Sequence, residues 1–476
     1  MNERSTKKQK ELLFLAEEYK KHPELFTQRT FIENSAVLAD FGIQIPRKES
    51  FINGYLKLWP EDFLVEEVAE DGAVRTVSGS SVAEVTEDSP TIYATLVKSG
   101  LSTLEAVDEL SRQLDLRRES IGFAGIKDKD AITAQRISLR NCPLEKLTTL
   151  QSPYLFLKDI EGGKGVMEKG RLRGNRFTIF IRTDVSLKDP VYFNRFAEEL
   201  KRVKAEGFYN FFYLQRFGTP RLLNFQFAYH ILRGDSKQAV FDFLTIPTER
   251  ELPYFKRMRE EFGKQFGHWR KIQEIILPFP FIFAHERKIV DHLVVHPYDF
   301  TGAFKTIPDQ VMIWLYALTS FFFNKKISEY LLRGEEPPKE LPLFLSPDKA
   351  DWEPYREMLE KYHLYPVPIQ NLRPFPHIGI KSRRVPTKDR AKILNGELVD
   401  GGIVLEFDLS KGQYATTFLS HMFNLVSGFP PSDIRKERVD VKKIIGEPAV
   451  GKTVEKFNSV IRPKGENLFE QLAAES

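Results

Sequence analysis

The spacing of apolar residues changes period twice along this chain, and that change limits the folds open to it. From Tyr55 to Thr183 apolar residues fall in short runs alternating with polar ones, the pattern of half-buried strands. From about residue 185 to 373 they recur every three or four residues, the pattern of helices. Strand patterning returns near 376–408. This order predicts an α+β body with a largely helical insertion.

Details sharpen the expectation. DQVMIWLYALTSFFFNKKISEYLL (309–332) is apolar almost all round and predicts a well-buried helix. Residues 7–21 place Leu12, Leu15, Ala16 and Tyr19 on one helical face. In the body, Pro60-Glu61-Asp62 reads as a turn leading into a strand at Phe63, and 91–100 reads as another strand. Ser102-Thr103-Leu104-Glu105 is a capping box, followed by Leu104, Val107, Leu110 and Leu114 at helical spacing. Segments 131–139 and 173–183 read as strands, and YATTFLSHMFNLV from Tyr414 as a helix. The expected division is an N-terminal extension at 1–46, a body formed by 47–200 and 374–430, an insertion at 201–373 and a polar, Lys-rich, fraying tail at 431–476.

Bulk properties exclude several classes. A chain of 476 residues with 42% hydrophobic and 29% charged residues suits two or three soluble domains. Cys142 is the lone cysteine, so no disulfide framework or cysteine zinc site is expected, and a reducing compartment such as the cytoplasm suits it. The histidines are read as offering neither HxxxH nor HExxH spacing, and no metal or other cofactor is expected. No apolar run approaches the ~18–20 residues of a membrane span; IILPFPFIFA, from Ile275, is broken by two prolines. The N-terminus carries acids and lacks a small-residue cleavage site, so it makes a poor signal peptide. A net charge of +4 permits a polyanionic partner without requiring one.

The stretch IGFAGIKDKDAITAQ (121–135) raises the question of chemistry. Asp128 follows a glycine-containing turn and lies between Lys127 and Lys129. Neighbouring cations favour the ionised carboxylate, which can act as nucleophile or base, and lysines suit phosphates. Taken alone, KDKD is most simply a solvated loop. Arg171, Arg173 and Arg176 crowd the start of a strand containing Asn175 and Phe177; an amide can read a base edge and a phenyl ring can stack on a base. Asn210-Phe211-Phe212 and Gln215-Arg216-Phe217-Gly218 form an aromatic and basic cluster. None of these is specific alone.

Their order is specific. LKLWPEDFLVEE (56–67), GFAGIKDKDAITAQ (122–135), RGNRFTIFIR (173–182), NFFYLQRFG (210–218) and LEFDLSKGQYATTFL (405–419) resemble, in order, five blocks of the TruD family of tRNA pseudouridine synthases. The resemblance implies a pseudouridine synthase catalytic domain with a mixed antiparallel sheet, plus a helical TruD-type insertion. It implies Asp128 as catalytic residue. Lys57, Phe63, Asn175, Phe177 and Tyr414 are then substrate-binding, and Lys127, Lys129, Arg173 and Arg176 meet the RNA backbone. The implied reaction cleaves the N1–C1′ bond of a uridine, with uridine 13 of tRNA favoured, and rejoins the base through C5. No cofactor, membrane or obligate protein partner is implied. The chain departs from the family at Tyr213, where the family has glycine, and Asp130 adds a second acid. Two rivals remain: a catalytically silent RNA-binding protein or chaperone, and a metal-dependent nuclease using Asp128 and Asp130.

Overall fold

The computed structural model describes residues 3–46, 52–79, 89–466, 469, 470 and 473. The chain divides into two compact units, one of residues 47–208 and 389–466, the other of residues 1–46, 209–388 and 467–476.

The first unit is built on a mixed sheet. Its main strands are β1 (Asn53–Tyr55), β2 (Phe63–Val68), β3 (Thr91–Lys98), β4 (Ile132–Arg140), β5 (Leu155–Gly163), β6 (Gly174–Thr183), β7 (Lys392–Val399), β8 (Gly402–Ser410) and β9 (Asn424–Gly428). The main order is β7–β8–β6–β2–β4–β3–β5, antiparallel except for the parallel β2–β4 pair. β1 pairs with the far end of β6 and carries β9 in parallel. Gly174 is required at the close pairing of β6 and β8, because a Cβ there would lie 2.0 Å from the Leu409 carbonyl oxygen.

Side-chain alternation sends successive residues to opposite faces. On the front face Ile92, Ala94, Leu96, Ile137 and Leu139 pack against α1 (Thr103–Leu114) through Ala106, Val107, Leu110 and Leu114. The capping box of α1 forms as expected: Ser102 Oγ accepts from the Glu105 amide at 3.2 Å, and Glu105 Oε2 accepts from the Ser102 amide at 2.8 Å. On the back face Leu64, Val97, Ile132, Ala134, Phe180 and Val404 meet Val441, Ile445, Val450, Phe457 and Ile461.

That back layer corrects the expected tail. Residues 431–466 belong to this unit rather than fraying, because their apolar residues cover a sheet face that would otherwise meet water. Lys442 anchors the layer, its Nζ lying 2.9 Å from Glu66 Oε2 and 2.7 Å from Glu406 Oε1. A second correction concerns the segment after Tyr414. The helix there is α2 (Ala415–Ser420), and the chain continues as strand β9. The β1 edge offers it backbone partners, and a short apolar run does not distinguish helix from strand by period.

The second unit is helical. Its longest helix, Pro308–Leu332, buries Trp314, Leu315, Leu318, Phe322, Phe323 and Ile327, while Ile313, Tyr316 and Leu332 stay exposed on it. Asn324, within it, accepts from the Phe212 amide at 2.8 Å and donates to the carbonyls of Phe212 at 2.9 Å and Phe41 at 3.2 Å. Tyr213 is buried here. The N-terminal segment is part of this unit, not a separate extension. Glu11 accepts from the amides of Phe281 and Ile282, and Ser328 Oγ donates to Gly42 O at 2.7 Å. The expectation that no HxxxH spacing occurs is corrected here: His292 and His296 stand at i, i+4 at the end of one helix of this unit. The His292 and His296 rings lie 5.0 Å apart, and His292 Nε2 is 3.0 Å from Asp299 Oδ2. Among the described residues no three such side chains are placed to hold a metal ion.

Candidate active site

The turn carrying Asp128 joins the short strand Ile121–Phe123 to β4 at the end of the front face. A turn rich in Lys and Asp would be mobile if left in water; here buried side chains fix its backbone. Gln135 Nε2 donates to Gly125 O at 3.0 Å. Thr103 Oγ1 accepts from the Lys127 amide at 2.8 Å and donates to Gln135 Oε1 at 3.0 Å, closing a circuit. Lys98 Nζ donates to Asp128 O and to Leu101 O, each at 2.7 Å. The Gly100 amide donates to Lys129 O at 3.1 Å. The local sequence explains the convergence. β3 and β4 pair so that Leu96 faces Gln135 and Lys98 faces Thr133, and α1 starts directly after β3. Lys98, Thr103 and Gln135 are fully buried, so the turn rests on a rigid base.

Asp128 itself reaches out of this base, with 39% of its side chain exposed. Lys57 Nζ donates to Asp128 Oδ2 at 2.7 Å, while Oδ1 has no hydrogen bond to a described residue. Burial pushes the Asp128 carboxyl up, but the charge and hydrogen bond of Lys57, with the charges of Lys98 and Lys464, outweigh it. The group is held below the ordinary carboxylate range and is ionised at neutral pH. Burial also pushes Lys98 down, to about 8. Lys57 occupies a left-handed backbone conformation at φ +59°, uncommon for a non-glycine residue. The following turn supports it. Asp62 caps that turn by accepting from the Trp59 amide at 3.0 Å, and Arg182 grips both Asp62 oxygens at 2.8 Å inside the fold.

The other expected residues divide. Lys57 belongs beside Asp128, and its ammonium also sits 4.3 Å from the centre of the Phe63 ring. Phe63 and Phe177 are buried, not open stacking faces. Phe63 meets Phe177 edge-on at 6.0 Å, and Phe177 stacks on Phe407 at 5.5 Å. They form an aromatic floor. Asn175 lies on the same face of β6 as Phe177, and its buried Oδ1 has no hydrogen-bond partner among the described residues. Tyr414 is half-buried just before α2.

Of the residues expected at an RNA backbone, Lys127 is corrected. Its side chain is buried, and Nζ lies 2.8 Å from the equally buried Glu67. Alternation along a tight turn points it inward while Asp128 points out. Lys129 is exposed and lies 3.1 Å from Glu105, Arg173 is exposed, and Arg176 is held by Asp408 at 2.8 and 3.2 Å. The sequence reading missed Lys98, Thr103, Gln135 and Lys464. A lysine at an inward position of an apolar strand was a readable sign for Lys98, and Gln135 stood inside the quoted stretch. Lys464 has no local signal.

The D-x-D metal reading fares poorly on this geometry, because Lys57 occupies one Asp128 oxygen with a positive charge.

Comparisons with known proteins agree with the sequence blocks. A family model described as tRNA pseudouridine synthase D (TruD) matches residues 47–340. A Methanopyrus kandleri protein named "Probable tRNA pseudouridine synthase D" is 29% identical over 346 residues, covering 69% of this chain and 84% of the relative. A Methanocaldococcus jannaschii protein named "Probable tRNA pseudouridine synthase D 1" is 28% identical over 392 residues, covering 78% and 95%. The fold matches a Methanosarcina mazei crystal structure named for tRNA pseudouridine synthase D, with a TM-score of 0.60 and 22% identity over 81% of this chain and 97% of that one.

Proposed function

The chain belongs to the TruD family of tRNA pseudouridine synthases, and from that premise we infer that it isomerises a uridine of tRNA, at position 13, to pseudouridine with Asp128 carrying the chemistry. The observation that supports this reading is the state of Asp128: an ionised carboxylate on an immobilised turn, with one oxygen held by Lys57 and the other without a hydrogen bond among the described residues. The N1–C1′ bond breaks, a C5–C1′ bond forms, C5 loses a proton and N1 gains one. Atoms and electrons are conserved, so the enzyme is an isomerase, and the reaction consumes neither oxidant nor water. An ionised Asp128 opens either route, by attack or by removal of a sugar proton. A target base inside folded RNA must leave its stack to meet the carboxylate. In this reading the unpartnered Asn175 Oδ1 accepts from the everted base or its ribose, and the Phe63–Phe177 floor keeps water out from below.

The test measures pseudouridine in an unmodified tRNA transcript with wild-type protein and with Asp128→Asn. Conversion by wild type alone, with RNA binding kept by the variant, supports the reading. An active Asp128→Asn removes Asp128 from its role. A wild-type protein that binds tRNA and converts nothing favours the silent binder. Mapping the modified position tests the choice of uridine 13.

A further inference from the structure

A pocket of about 300 Å³ opens in the helical unit, where the helix Asn224–Leu232 crosses the helix Pro308–Leu332. Its volume is at the small end for ligand sites. Phe225, Gln226, Tyr229, Leu318, Phe321 and Tyr362 line it. Phe225 and Phe321 stack at 4.6 Å with planes 11° apart, and Tyr362 stands edge-on to Phe321 at 6.3 Å. Phe225, Tyr229 and Tyr362 remain partly exposed.

Two cations flank the rings. Lys325 Nζ is 5.2 Å from the centre of Phe321 and 5.9 Å from that of Tyr362. The Arg233 guanidinium is 5.5 Å from the Tyr229 ring and donates to its hydroxyl at 2.9 Å. Among the described residues neither cation has a carboxylate within ion-pair distance. Within the same unit, Arg259 lies between Glu251 and Glu286, and Arg250 faces Glu33. π-faces, a side-chain amide in Gln226 and two unneutralised cations form the donor set that receives a planar heterocycle attached to phosphate.

We propose that this pocket is a second RNA contact, taking one unstacked nucleobase of the substrate against Phe225, Tyr229 and Tyr362 while Lys325 and Arg233 meet the phosphates on either side. The proposal rests on the synthase reading for the identity of its ligand, and concerns a site separate from Asp128. Stacking tolerates any base, so the pocket adds affinity and register rather than sequence choice.

The experiment titrates a fluorescently labelled, unmodified tRNA transcript into wild-type protein, Tyr362→Leu, Lys325→Gln, Arg233→Gln and the exposed neighbour Lys361→Gln as control. Tyr362→Leu is expected to weaken binding about tenfold, the loss of one stacked base. Lys325→Gln and Arg233→Gln are each expected to lower the slope of log affinity against log salt by about one phosphate contact. Lys361→Gln is expected to leave affinity within about twofold. Wild-type affinity and salt slope in all three pocket variants would overturn the proposal and leave the surface to another partner. If Tyr362→Leu does not fold, the exposed Arg233 carries the test through its salt slope. Pseudouridine formation is measured alongside. Variants that bind like an active wild type sink the pocket alone, whereas a wild type that binds tRNA and makes no pseudouridine sinks the synthase reading.

Discussion

Thr103→Val tests whether the hydrogen-bond circuit beneath the Asp128 turn matters to the chemistry. Valine matches threonine in shape, so the substitution removes a hydroxyl and little packing. Two groups lose their partner: the Lys127 amide, at 2.8 Å, and Gln135 Oε1, at 3.0 Å. Both residues are buried, Gln135 completely, so water does not replace the hydroxyl. Each orphaned buried group costs about 1–3 kcal/mol, or about 2–6 kcal/mol together. For a unit of this size that lowers the melting temperature by about 5 °C or more. The turn can recover part of this cost by shifting its backbone, which moves Asp128 away from Lys57. A displacement of about 1 Å lowers the rate about 100-fold. Single-turnover pseudouridine formation at saturating tRNA, below the melting transition, reads the rate apart from stability. Thr103→Ser keeps the hydroxyl and is expected to restore most of both. A Val variant that melts earlier yet reacts at the wild-type rate would refute the argument that this circuit positions Asp128.

Lys57→Met removes the nearest charge from Asp128 and leaves its burial in place. The carboxyl then rises from below its ordinary 3.8, and the acid limb of the pH–rate profile moves to higher pH; an unmoved limb would show that Lys57 does not set the ionisation. The sign for stability follows. With its folded pKa depressed, wild-type Asp128 adds stability above the unfolded value, and that stability is lost as pH falls through the folded value. Lys442→Met strands Glu66 and Glu406 inside the sheet's back layer, costing about 3–5 kcal/mol in denaturant melts; a neutral result would mean the C-terminal layer is held by apolar packing alone. Lys127→Met is expected to destabilise the fold through Glu67 while leaving the salt slope of tRNA binding unchanged. Arg173→Gln is expected to lower that slope by about one; the reverse pattern would restore Lys127 to the RNA surface.

The elements with strong local codes were legible without a structure. The capping box at Ser102 forms because its hydrogen bonds span three residues. The buried helix Pro308–Leu332 and the alternation in Ile132–Arg140 and Gly174–Thr183 follow from period alone. Asp128 stood out through its ordered companions rather than its own tetrapeptide. Four things waited for the tertiary structure, and one reason covers them: each depends on what a distant segment brings. The tail became a sheet layer because 439–461 met an apolar face made by 64–180 and 404. The run after Ser420 became strand β9 because β1 offered an edge. The lysines around Asp128 changed identity. Chain adjacency suggested Lys127 and Lys129, but in a tight turn adjacent side chains point apart, and Lys127 went inward to Glu67. The charges that hold Asp128 ionised come from Lys57, Lys98 and Lys464, residues separated along the chain and close only in space. Local hydrogen bonding and period are written residue by residue, whereas a carboxylate's electrostatic surroundings are a sum over space that no single stretch contains.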